Sequence, residues 1–137
     1  MIIGFTGTRK GMTQQQHRTV TELVSRASTA THVIHGDCIG ADYNFHNIAV
    51  KAGLSVVLRP CNLSNQRAYS EGAEKVYEPE KPIARNHKIV SECSGLIACP
   101  RKMTEEMRSG TWATIRYARQ NSKRVVIVWP DGSSEER

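Results

Sequence analysis

Three short glycine-bearing turns carry most of the chemistry that can be read from this chain: Gly4-Phe5-Thr6-Gly7-Thr8-Arg9, His35-Gly36-Asp37-Cys38-Ile39-Gly40-Ala41-Asp42 and Ser109-Gly110-Thr111. The first supplies hydroxyls, a permissive backbone and a guanidinium, which is what a phosphate or carboxylate requires. In the second, Gly36 and Gly40 bracket Asp37, and Asp42 falls in the first turn of a helix. One of these two carboxylates is suited to ribose hydroxyls, although Asp42 also complements a helix dipole. Ser109-Gly110-Thr111 places N–H groups and hydroxyls at a helix start, where phosphate is held, and an N-cap is the simpler reading of the same residues.

Two further stretches belong with them. Arg85-Asn86-His87-Lys88 puts cations into the first turns of a helix, against the usual preference for acids there. Arg85 and Asn86 are fitted to clamp a phosphate and a base or ribose edge, the alternative being a solvated basic face. Glu105 and Glu106 are the paired acids nearest this edge and the candidates for general acid or base work; as neighbours in a polar segment they are also ordinary solvated glutamates. The chain has neither a G-x-x-x-x-G-K-[ST] loop nor a full G-x-G-x-x-G.

The elements that must position these residues alternate in type. Residues 2 to 6 read as a buried strand. Thr13 and Gln16 form a capping-box signal for a helix over 14 to 28. A strand over 31 to 35, a helix over 40 to 51 and a strand over 54 to 58 follow. Residues 59 to 82 contain three prolines and no sustained period, which predicts a long surface loop, with a helical turn near 66 to 74, of the kind that serves as a lid. Pro82 suits the first turn of a helix running to 93. A strand over 95 to 99, a helix around Trp112, Ile115, Tyr117 and Ala118, and a strand over 124 to 129 complete the series. Parallel strands need crossovers, so the fold class is α/β: a single Rossmann-like three-layer domain over 1 to 132, with a mostly parallel sheet of about five strands. Residues 133 to 137 read as a short, frayed polar tail.

The 137 residues suffice for one domain, and 39% hydrophobic with 23% charged residues is ordinary globular composition. No apolar run reaches the roughly 18 residues of a membrane span. The N-terminus enters a strand pattern at once, without a basic leader, so a cytoplasmic location is expected. Cys38, Cys61, Cys93 and Cys99 form no C-x-x-C pair and read as free thiols. His32, His35 and Cys38 have the composition of a metal cluster, but residues three apart on a strand face opposite sides, so no metal is expected. The net charge of +6 favours anions. It permits nucleic acid, but aromatic residues at 6% show no spaced series for stacking bases.

Taken in order, GFTGTR, HGDCIGAD, ARNHKIV, GLIACP and SGTWATIRYARQNSKRVVIV resemble the SLOG superfamily, which groups DNA-processing protein A with LOG-type nucleotide phosphoribohydrolases. The resemblance spans nearly the whole chain. It implies a Rossmann-like domain that takes nucleotides or their derivatives, with Gly7, Thr8, Arg9, Gly36, Asp42, Arg85, Asn86, Gly110 and Thr111 at family motif positions. Enzymatic members cleave the N-glycosidic bond of a nucleoside monophosphate, with a glutamate from a P-G-G-x-G-T-x-x-E signature acting around the sugar. Here Ala113 and Thr114 stand where that acid is expected, which shifts the weight to binding, and Glu105 or Glu106 would have to substitute. DNA-processing members bind single-stranded DNA and normally carry further domains. The resemblance also implies a homo-oligomer, dimer or larger, and requires no cofactor. The expected ligand is therefore a nucleotide or phosphorylated nucleoside, with Trp112 or Tyr69 as candidates to stack on its base.

Overall fold

The computed structural model describes residues 1–137. The apolar N-terminal run forms β1 (Ile2–Gly7), and α1 (Gln14–Arg26) follows. Its capping box is complete: the Gln16 N–H donates to Thr13 Oγ1 at 3.0 Å, and the Thr13 N–H donates to Gln16 Oε1 at 3.0 Å. Then come β2 (His32–His35), α2 (Ala41–Lys51) and β3 (Ser55–Leu58). After a 3₁₀ turn at Ser64–Gln66 the chain adds β4 (Lys75–Val76), α3 (Pro82–Glu92), β5 (Gly95–Cys99), α4 (Gly110–Gln120), β6 (Arg124–Val128) and β7 (Ser134–Glu136).

These strands form one sheet in the order β4-β3-β2-β1-β5-β6-β7, all parallel except β7. The chain runs outward from β1 to β4, then returns through α3 to start the other flank at β5. Strand order therefore reverses between β1 and β5, and a crevice opens at the carboxyl ends of the strands on either side of such a reversal. One face of the sheet is covered by α1 and α2 through Val20, Val24, Phe45 and Ile48, with Phe5 and Phe45 stacked at 4.3 Å. The other face is covered by α3 and α4 through Ile89, Val90, Trp112 and Ile115. Val and Ile fill the central strands because they are buried on both sides.

The α/β three-layer architecture agrees with the sequence, but the sheet has seven strands where five were expected. The two additional strands lie at the edges. Lys75 and Val76 pair with Val57 and Leu58 inside the segment read as loop. Residues 134 to 136, expected to fray, pair antiparallel with β6, and Val125 and Arg137 exchange backbone hydrogen bonds at 2.8 and 3.2 Å. Every residue of both strands is exposed, and neither carries the apolar alternation that marks a strand in sequence. Their shortness and charge suit sheet edges.

Candidate functional site

A cavity of about 680 Å³ opens at the carboxyl ends of β1 and β2, on the switch-point side of the sheet. Three helices begin at it. Ile39 and Asp42 come from the start of α2, Pro82, Arg85 and Asn86 from the start of α3, and Ser109, Gly110 and Thr111 from the start of α4. The first N–H groups of a helix have no intrahelical acceptor, and its N-terminus carries partial positive charge. The arrangement thus collects donors and positive potential from three separate β-α units.

The first turn is held by backbone. The Thr8 N–H donates to Cys99 O at 3.0 Å, and Thr8 O accepts from Gly11 and Ala41 at 3.2 and 2.9 Å. This ties the end of β1 to both β5 and α2. Gly40 makes the junction possible: its φ is +91°, and a Cβ there would lie 2.3 Å from Arg9 O.

Arg85 is the most deeply placed cation of the site, 7% exposed. Its Nη1 donates to Gly36 O at 2.8 Å and to Arg59 O at 3.2 Å, Nε donates to Asn86 Oδ1 at 2.7 Å, and Nη2 faces Cys38 Sγ at 3.6 Å. None of these acceptors is a carboxylate. Arg9, Lys10 and Arg108 border the cavity and likewise form no ion pair. Asp42 is buried and accepts from the Cys38 N–H at 3.1 Å. Burial raises its carboxyl to about 6, against the opposing pull of Arg85. Burial and the Asp42 charge push the Cys38 thiol up to about 12, so it is protonated. At the start of α4, Ser109 Oγ accepts from the Trp112 N–H at 3.3 Å as N-cap, while Thr111, only 8% exposed, borders the cavity with a hydroxyl that has no partner within the protein.

Of the residues singled out from sequence, Gly7, Thr8, Arg9, Gly36, Asp42, Arg85, Asn86, Ser109, Gly110, Thr111 and Glu106 meet at this cavity. Asp37 and Glu105 do not border it. The Asp37 carboxylate is buried and accepts from Arg67 Nε at 3.1 Å and the Ser70 N–H at 3.0 Å, so it fastens a loop instead of facing a ribose. Glu105 accepts from Arg116 at 2.8 Å on the outer side of α4. Glu106 is gripped by Arg101 through three contacts of 2.7 to 3.1 Å, and that grip holds its carboxyl below the usual range. Trp112 is core, beside Trp129, and Tyr69 is exposed with Arg67 over its ring. Neither borders the cavity, which removes both from base stacking. His87 packs on Tyr117 and Lys88 pairs with Glu80, so only the first half of the basic stretch faces inward.

Sequence reasoning missed Lys10, Cys38, Gln66, Arg101 and Arg108 as cavity residues. Arg101 and Arg108 flank the glutamate pair and could have been read as its counter-ions. Gln66 had no local signal, because only the fold of the 59 to 81 segment brings it inward. That segment is strapped down instead of free to act as a lid. Ile39 N–H donates to Gln66 O at 2.9 Å, Ala68 N–H to Asp37 O at 2.8 Å, and a short antiparallel bridge joins Cys38 and Arg67. A buried relay reaches the same segment. Asp37 N–H donates to His35 Nδ1 at 2.9 Å, His35 Nε2 donates to His46 Nδ1 at 2.9 Å, and His46 Nε2 donates to Glu71 O at 2.6 Å. Burial, with smaller contributions from His46 and Arg85, lowers His35 to about 3.

No family model and no curated protein matches the sequence. Solved structures do. The molybdenum cofactor binding protein of the phototrophic bacterium Rippkaea orientalis is 20% identical, with a TM-score of 0.68 over 93% of this chain and 76% of that one. DNA processing protein A from Streptococcus pneumoniae is 20% identical, with a TM-score of 0.65 over 91% of this chain and 49% of that one. The structural-genomics target TM1055 is 15% identical, with a TM-score of 0.67 over 90% of this chain and 71% of that one. The chain shares the fold of these three structures.

The positions where the phosphoribohydrolase signature would place its acid are accounted for otherwise. Ala113 is exposed, and the buried Thr114 hydroxyl donates back to Gly110 O at 2.9 Å. Neither borders the cavity. No helix is long and apolar enough to cross a membrane.

Proposed function

We propose that the cavity binds a nucleotide or nucleotide-derived small molecule, with the phosphate at the start of α4 and beside Arg85. The observation that carries this reading is the pairing of a deeply buried guanidinium that forms no ion pair with Thr111, a residue 8% exposed whose hydroxyl makes no hydrogen bond within the protein, both at one helix-start cavity. A buried cation is costly until an anion neutralises it. Five cationic side chains border the cavity against two acids, and one acid is already committed to Arg101. The volume lies within the roughly 300 to 1,000 Å³ of small-molecule sites. Asp42, once ionised, is placed to accept from ribose hydroxyls.

The test is native mass spectrometry of freshly purified protein, followed by calorimetric titration with AMP, NAD and inorganic phosphate. Retained nucleotide, or one-to-one binding that competes with phosphate, is the expected result. Neither retained mass nor heat at concentrations on the order of 1 mM would overturn the reading.

Cleavage of the N-glycosidic bond is the second reading, favoured by one observation: Glu106 borders the cavity. Its grip by Arg101 suits it to stabilise positive charge on a sugar, not to donate a proton. Release of free base from AMP, abolished in Glu106→Gln, is the result that reading requires.

A further inference from the structure

We infer that Gln66 is the specificity-determining residue for the base, reading a nucleobase edge that carries an adjacent hydrogen-bond donor and acceptor. The inference rests on the nucleotide reading above and adds the end of the ligand that reading leaves open.

The backbone on either side of Gln66 is fixed, and its side chain is not engaged. Its carbonyl accepts from the Ile39 N–H at 2.9 Å and its own N–H donates to Leu63 O at 2.9 Å. The next residues are fastened to Asp37 by Arg67 Nε at 3.1 Å, by the Ala68 N–H at 2.8 Å and by the Ser70 N–H at 3.0 Å. Gln66 borders the cavity, and its carboxamide makes no hydrogen bond within the protein. A polar group without a partner, carried on a backbone this heavily restrained, is available to a ligand at a fixed place on the cavity wall.

Its surroundings differ from the phosphate end. The cavity residues with apolar side chains include Ile39 just before α2, Pro82 at the start of α3 and Ile89 in its later turns, and Asn86 spends its carbonyl oxygen on Arg85, leaving its amide N–H groups open. Apolar side chains suit the flat face of a base, and amides its edge. A glutamine presents one donor and one acceptor side by side, the geometry that pairs with N6 and N7 of adenine. The cations and the start of α4, by contrast, complement an anion. The two kinds of wall point to a ligand with two unlike ends, phosphate and base.

The experiment compares AMP, purine riboside 5′-monophosphate, which lacks the exocyclic amine, and ribose 5-phosphate on the wild type and on Gln66→Met. Methionine matches the length of glutamine and lacks its amide, and no internal hydrogen bond is lost. Affinities come from calorimetry, and the urea midpoint checks the fold. The expected result is that AMP binds the wild type about tenfold tighter than either analogue lacking its amine or its base, a difference of ~1.4 kcal/mol, and that Gln66→Met removes the advantage over purine riboside monophosphate while ribose 5-phosphate binds as before. An AMP advantage that survives in folded Gln66→Met overturns the inference. So does equal binding of AMP and purine riboside monophosphate by the wild type, which needs no variant at all. Ribose 5-phosphate that binds while the base adds nothing sinks the Gln66 inference and leaves the phosphate site standing. Failure of all three ligands on the wild type sinks both.

Discussion

Arg85 lies across Gly36, its Nη1 2.8 Å from the Gly36 carbonyl, in space that any other residue at 36 would occupy. A Cβ there would meet Nη1 at 2.2 Å and Asp42 Oδ2 at 3.1 Å. The glycine is required by the close approach of a charged side chain and not by its own backbone angle. Gly36→Ala is expected to push the guanidinium out of its seat, costing about 1–3 kcal/mol in stability and at least tenfold in phosphate affinity. Urea denaturation and calorimetric titration with inorganic phosphate measure the two effects separately. Phosphate affinity equal to wild type would show that Arg85 does not hold the anion from this seat.

Two buried groups give stability opposite pH dependences. His35 falls from 6.5 to about 3 on folding, so the unfolded chain takes up a proton that the native protein refuses, and stability drops as pH falls from 6.5 towards 3. Asp42 rises from 3.8 to about 6, so the native protein holds a proton that the unfolded chain has released, and stability increases as pH falls from 6 to 3.8. Between pH 6 and 3.8 the two slopes oppose each other. Asp42→Asn removes one of them and is expected to expose a loss of about 1.4 kcal/mol per pH unit across that range. Urea midpoints at half-unit pH steps on both proteins check it; parallel profiles would contradict the assignment.

Asp37 is a strap for the 60s segment. Asp37→Ala strips Arg67 of its carboxylate and the Ser70 N–H of its acceptor. The expected cost is about 1–3 kcal/mol per orphaned group, together with faster tryptic cleavage after Arg67. Limited proteolysis at constant enzyme ratio reads the second effect. Cleavage kinetics identical to wild type would mean that the backbone hydrogen bonds and the His46 contact hold the segment without the carboxylate.

Cys38 borders the cavity but is held as a thiol by burial and by the Asp42 charge. Since thiolate is the nucleophile, alkylation by iodoacetamide at pH 8 is expected to be far slower at Cys38 than for free cysteine. Peptide mapping after timed exposure gives the rate. Asp42→Asn should speed it, because the largest cause of the raised value after burial is gone.

The features legible in the sequence were those encoded locally. Thr13 and Gln16 marked a helix start that the structure reproduces atom for atom, and the apolar runs at Ile2–Phe5 and Leu96–Cys99 marked central strands. Gly36, Arg85 and Thr111 were found because glycine beside a strand end and a cation at a helix start break local rules, and such breaks concentrate at sites. What stayed hidden depended on long-range geometry. Lys75–Val76 and Ser134–Glu136 are strands only because a neighbour offers a free edge. Asp37 looked like a ligand contact because its partner, Arg67, is thirty residues away. Gln66 reaches the cavity through that same distant contact.

The three helix starts at the cavity belong to β-α units spread from Phe5 to Thr111, and the sheet order sets those units side by side only when β1 lies between β2 and β5. No fragment of the chain contains the whole cavity. Occupancy and global unfolding are therefore two readings of one equilibrium: a ligand at a hundred times its dissociation constant raises the unfolding free energy by about 2.7 kcal/mol, and amides far from the cavity, in β6 or α1, exchange more slowly along with those that touch it.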